Sequence, residues 1–172
     1  MTKPARPPAD PDSSKAAYVL GLRWLAAREL TSAQISQRLE RRGFSPRAIG
    51  PALERLTRER ALDDRRAALA SARTEATLRH HGPARILRRL QSMGIDRELA
   101  REIVREIFGE LDERALMQRA LAKRLRPGAS LIRDRAQLRR LHAYLVREGF
   151  SSSAAVALLR GHSAPGTRLE DD

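Results

Sequence analysis

The chain is 172 residues long, enough for one or two domains, and it is 41% hydrophobic but only 3% aromatic, so any core must be built from Leu, Ile, Val and Ala. Lys and Arg total 34 against 21 Asp and Glu, a formal net charge of +13, and every basic residue except Lys3, Lys15 and Lys123 is an arginine. No cysteine is present and no run of eighteen apolar residues occurs, which excludes disulfides, thiolate chemistry and a transmembrane helix.

In chain order, residues 1–14 hold Pro4, Pro7, Pro8 and Pro11 and lack an apolar signal region, so a mobile tail and a cytoplasmic protein are expected. A helix over Lys15–Glu29 places Val19, Leu22, Leu25 and Ala26 on one face. Thr31 with Gln34 forms a capping box for a second helix, which stops at Gly43-Phe44-Ser45. Pro46 suits the first position of a third helix. Gly50-Pro51 inside that helix predicts either a kink or a regular part that begins near Pro51, and the sequence leaves the choice open.

The order then recurs. Asp63-Asp64 opens a helix over Asp64–Arg79, Gly82-Pro83 precedes the next, and that one ends at Gly94-Ile95-Asp96. Asp112–Leu125 is a further helix, Pro127-Gly128 a turn, and Asp134 with Gln137 a second capping box before a helix that ends at Gly149-Phe150-Ser151. The three glycines lie 94−43 = 51 and 149−94 = 55 residues apart. Eight and four positions before each stand Ile35 and Leu39, Ile86 and Leu90, Leu141 and Leu145. Six and ten positions after stand Ile49 and Leu53, Ala100 and Val104, Ala155 and Leu159. Apolar residues four apart share a helical face, glycine past the last turn can take the left-handed conformation, and Ser45, Asp96 and Ser151 are placed to cap the next helix. Period-two alternation is absent. An all-α chain of three tandem three-helix repeats follows, over residues 15–62, 63–110 and 111–162, with a second tail over 163–172.

The arginines cluster beside these helices: Arg41 and Arg42; Arg85, Arg88 and Arg89; Arg139, Arg140 and Arg147; and Arg65, Arg66, Arg73 and Arg79 between the first two units. Arg85, Arg88 and Arg89 share one helical face, as a phosphate-tracking surface would. A GC-rich genome also raises arginine, and an acidic protein partner fits the same charge. Trp24, Tyr18, Tyr144, Phe44, Phe108 and Phe150 mostly fall at core positions, which argues against sequence-specific base reading. Asp63-Asp64 is a better helix start than a metal or acid–base pair, and adjacent His80-His81 project about 100° apart, unlike zinc ligands spaced by four. No phosphate loop and no nucleophile–base set is found, so neither an enzyme nor a cofactor is expected.

The run Arg42-Gly43-Phe44-Ser45, then Leu62-Asp63-Asp64, then Gly82-Pro83 with arginines and Gly94-Ile95, is similar to the RecX family over about Ala17 to Gly161. The resemblance implies an elongated, curved row of three-helix units. It implies a monomer that lodges on RecA filaments formed on single-stranded DNA and lowers their ATPase, strand-exchange and coprotease activities, and direct DNA contact in some members. Ala67-Ala68 replaces the family's usual aromatic-Ala, and Met93 its usual basic residue; the first change predicts weaker packing and the second a lost polar contact. A helix-turn-helix transcription factor and a purely structural helical adaptor are the alternatives. Against the first, the helices after the glycines carry mainly Ala, Ile and Leu.

Overall fold

The computed structural model describes residues 8–125, Ile132 and residues 134–163. The Pro127-Gly128 turn and residues 164–172 of the expected tail lie outside the described residues. Among those described, nine helices form: α1 (Ser14–Ala27), α2 (Ser32–Arg41), α3 (Pro46–Arg58), α4 (Asp64–Thr77), α5 (Pro83–Ser92), α6 (Arg97–Glu110), α7 (Glu113–Ala122), α8 (Arg135–Arg147) and α9 (Ser152–Arg160). One isolated parallel bridge, Ile132 to Ser163, is the only β contact among them. None of these helices is long and apolar enough to cross a membrane.

All three glycine turns have the same geometry. Gly43, Gly94 and Gly149 have φ of 91°, 81° and 98°. In each, the glycine amide donates to the carbonyl three residues back, and the following amide donates five back: Phe44 to Leu39 at 3.1 Å, Ile95 to Leu90 at 3.2 Å, Phe150 to Leu145 at 3.2 Å. This is the helix stop in which a left-handed residue lets the last carbonyls find partners. The acceptor leucines and the residues after the glycines are buried in all three cases.

The chain divides into two compact units that cut through the second repeat: Met1–Ala70 with Leu90–Leu99, and Ser71–Arg89 with Ala100–Asp172. In the first, α1 departs from expectation. Ala17 and Gly21 are its buried residues, whereas Val19 and Leu22 are 38% and 39% exposed. The cause is close approach to α3: a Cβ on Gly21 would come within 2.8 Å of Leu56 Cδ1, so the small i, i+4 pair faces inward and Val19 and Leu22 turn outward, while Leu25 packs on the core as expected. The helix α3 starts at Pro46 and runs through Pro51. Pro51 is exposed, and the space at Gly50 is open, so the cost is limited to the hydrogen bond the proline nitrogen cannot make.

Caps follow the sequence with one exception. Thr31 and Gln34 make the reciprocal capping box, Asp134 accepts from the amides of Ala136 and Gln137, Asp96 from Glu98 and Leu99, and Ser151 from Ala154. Ser45 occupies the cap position of α3 without a side-chain cap bond. Its hydroxyl donates to Asp12 and its amide to the Pro11 carbonyl at 2.9 Å, so Pro11 and Asp12, expected in a free tail, are held against the first glycine turn.

Candidate functional site

Two of the glycine turns are docked on the helix start that lies twelve residues before the preceding glycine, and each docking lies within one compact unit. In the first unit, the Met93 carbonyl accepts the Thr31 hydroxyl at 2.6 Å, and a Cβ on Gly94 would overlap Ala33. In the second, the amides of Gly82 and Ala84 donate to the carbonyls of Glu148 and Gly149 at 2.8 and 3.0 Å. There a Cβ on Gly82 would stand 2.5–2.6 Å from the Gly149 and Phe150 backbone, so Gly82-Pro83 is a docking element and not a ligand loop. The equivalent position in the third repeat is Gln137, already inside α8, because α8 begins fourteen residues before its glycine and α2 and α5 begin eleven before theirs.

These contacts engage several of the expected surface arginines. Arg66 Nε donates to Glu29 at 2.7 Å, and its guanidinium also reaches the carbonyls of Arg60 and Ala61 at 3.3 and 3.0 Å. Its hydrogen bond to Glu29 holds its pKa above the usual arginine value. Beside it, Asp63 caps the α4 start through the Arg66 amide, while Asp64 grips the amide and hydroxyl of Ser32 at 2.7 and 2.6 Å. The acidic pair therefore joins two helix starts.

Arg85 donates to Glu148 at 2.9 Å. The same carboxylate lies 3.2 Å from His81 Nε2, whose Nδ1 is 2.6 Å from Glu75, and Glu75 in turn is 3.1 Å from Arg79. His81 and Glu75 are both buried, so His81 is a structural histidine locked between two carboxylates. Its neighbour His80 has φ 62° and ends α4 in the left-handed region. Arg73 pairs with Glu110 at 3.5 Å and Arg140 with Asp134 at 3.8 Å, both largely exposed pairs.

The remaining candidates point outward. Arg41, Arg88, Arg139 and Arg147 are exposed and Arg42 is half-buried, and among the described residues none of the five pairs with a carboxylate. Arg65 and Arg89 are exposed as well. Sequence patterns missed three stacked arginines: Arg55 at 3.9 Å from the Tyr18 ring centre, Arg124 at 4.7 Å from Tyr144 and Arg38 at 5.7 Å from Trp24. The Tyr18 hydroxyl also donates to Glu59 at 2.6 Å, which raises the phenol pKa and, with Arg55, lowers that of the carboxylate. The signals were faint: an aromatic far from each arginine in the chain.

Comparison with known proteins gives a consistent result. Residues 17–56 match the family described as RecX, first three-helix domain. The regulatory protein RecX of Halorhodospira halophila is 33% identical over 140 residues, covering 81% of this chain and 84% of that protein. That of Pelodictyon phaeoclathratiforme is 28% identical, covering 94% and 96%. A crystal structure of a regulatory protein RecX superposes with a TM-score of 0.73 at 22% identity, over 86% of this chain and 71% of that one. RecX from Lactobacillus salivarius gives 0.71 at 19% identity, over 87% and 96%.

Proposed function

Because the chain belongs to the RecX family, we propose that it is a regulator of the RecA recombinase that binds the recombinase filament on single-stranded DNA and lowers its activity. It acts by contact and not by catalysis. The observation that carries this reading is the set of outward arginines beside helices of the repeats: Arg41, Arg42, Arg88, Arg139 and Arg147 carry no carboxylate partner among the described residues. Guanidinium forks of this kind grip phosphate or carboxylate oxygens in pairs. Arg66 and Arg85 support the fold, and contact with the filament or DNA falls to the unengaged set.

Direct affinity for single-stranded DNA goes with this reading, without sequence preference, since Phe44, Phe150 and Tyr144 are buried and offer no open stacking surface. The test is a titration of the protein into RecA on single-stranded DNA with ATP hydrolysis as the readout. Suppression well below one protein per recombinase subunit is expected. An unchanged rate with folded protein refutes the proposal. Binding to an oligonucleotide should weaken with salt in proportion to the phosphate contacts made.

A further inference from the structure

Nine positions before the three glycines stand Gln34, Arg85 and Arg140. At the second of these, the structure shows what the position does when engaged: Arg85 holds the carboxylate of Glu148. At the third, no described residue closes on the arginine as Glu148 does on Arg85. Gln137, Arg140, Leu141, Tyr144 and Arg147 of α8, with Arg124 just beyond α7, line a cleft of about 360 Å³. Arg140 reaches Asp134 only at 3.8 Å and its side chain is 73% exposed, and Arg147 has no carboxylate partner among the described residues. Arg140 and Arg147 are two turns apart on α8, about 10 Å at the helical rise. Arg124 stacked on Tyr144 adds a third positive group beside them.

We propose that this cleft docks an acidic peptide segment of a partner protein, with two or three of its carboxylates held by Arg140, Arg147 and Arg124. Two observations favour a peptide over nucleic acid. The equivalent arginine, Arg85, already takes a glutamate. Tyr144 is 9% exposed and Arg124 covers its ring, so no base can stack there. Carboxylates at alternate positions of an extended strand are about 6.5 Å apart on one side, so an extended peptide can reach both Arg140 and Arg147, about 10 Å apart. Met93 and Arg42, the counterparts of Glu148 in the other repeats, carry no negative charge, so the glycine turn of a second copy is a poor occupant. The site does not depend on the recombinase assignment, and its test uses no recombinase.

The test is fluorescence anisotropy of a labelled peptide of three glutamates alternating with serines, titrated with the full chain at low salt. In parallel, a labelled oligodeoxythymidylate is titrated. The double variant Arg140→Ala/Arg147→Ala should lose about tenfold or more in peptide affinity, the order expected for charge-assisted contacts. The charge-matched control Arg58→Ala/Arg105→Ala, exposed residues elsewhere, should change it less than about twofold. The Arg140→Ala/Arg147→Ala variant should lose less affinity for the oligonucleotide than for the peptide, because Arg41, Arg42, Arg88 and Arg139 remain to meet DNA. An intact chain that does not bind the peptide overturns the proposal. So does a peptide loss no greater than the control's, which marks a general charge effect. A loss confined to the oligonucleotide overturns it too, and makes the cleft a nucleic-acid site.

Discussion

The turn at Gly94 and the turn at Gly149 come to rest on equivalent helix starts, Thr31–Ala33 and Gly82–Ala84, but at different backbone distances. In the first docking a threonine side chain fits between the two backbones and spans them through its hydroxyl. In the second the residue is glycine, no side chain fits, and amides meet carbonyls directly. Around the second contact the polar groups are ionic, with Arg85, Glu148, His81 and Glu75 in one cluster. Around the first, the contact itself is a hydroxyl on a carbonyl, and the carboxylate beside it, Asp64, holds the amide and hydroxyl of Ser32 instead of a cation. The register of the repeat thus fixes where a turn docks, while the residue twelve before the preceding glycine sets how closely and by what chemistry.

The largest effects should come from filling the glycines. Gly94→Ala and Gly149→Ala each force a left-handed φ on a residue with a Cβ and add a steric overlap, and each should cost about 3 kcal/mol or more. Rescue should separate them. At Gly94 the overlap is with the Ala33 side chain, so adding Ala33→Gly should recover the steric part and leave about 1–2 kcal/mol of backbone strain. At Gly149 the overlap includes the Arg85 backbone nitrogen, so trimming neighbouring side chains should recover little. Urea unfolding of the single and double variants measures both; equal rescue at the two turns would erase the distinction.

Next in size are the polar groups. Glu148→Gln removes the charge facing Arg85 and should cost about 2 kcal/mol, and Thr31→Val, which loses both the cap and the Met93 contact, a similar amount. Only the Glu148→Gln penalty should shrink when salt is raised from 0.05 to about 0.5 M, because screening acts on charges. A penalty at Thr31 that falls with salt would contradict an uncharged Thr31–Met93 contact.

The smallest effect separates two caps. The amides of Glu98 and Leu99 hold the Asp96 carboxyl below its usual pKa, whereas Ser151 caps α9 with a hydroxyl. The folded value lies below the unfolded one, so the stabilisation by Asp96 is complete above about pH 4 and disappears as pH falls through the folded value. The difference between wild type and Asp96→Asn should therefore fade in acid, and that between wild type and Ser151→Ala should hold steady over the same range. Thermal melts at pH 7 and pH 2–3 decide this.

The glycine turns were legible because every signal for them is local: apolar residues eight and four before, one after, and a small polar cap. The capping box at Thr31 was legible for the same reason. The inward face of α1 was legible only at Leu25, since Ala17 and Gly21 face α3 by virtue of being small, and a search for large apolar residues adds Val19 and Leu22, which turn outward. Of the arginines, sequence found the clusters but could not tell fold from surface. The partners of Arg66 and Arg85 stand 37 and 63 residues away, and only the tertiary structure brings Glu29 and Glu148 to them.

The early start of α8 has a consequence for lengthening this protein. The amide of Gln137, which matches the donor Gly82, is spent on Asp134. The glycine turn of a fourth trio fused after residue 163 would lack the backbone donor that holds the Gly149 turn and would have to dock through a side chain, as the Gly94 turn does at Thr31. Copying the second trio in place, Gly82-Pro83 included, supplies that donor afresh, so extension from the middle repeats the backbone-to-backbone docking and extension from the end does not.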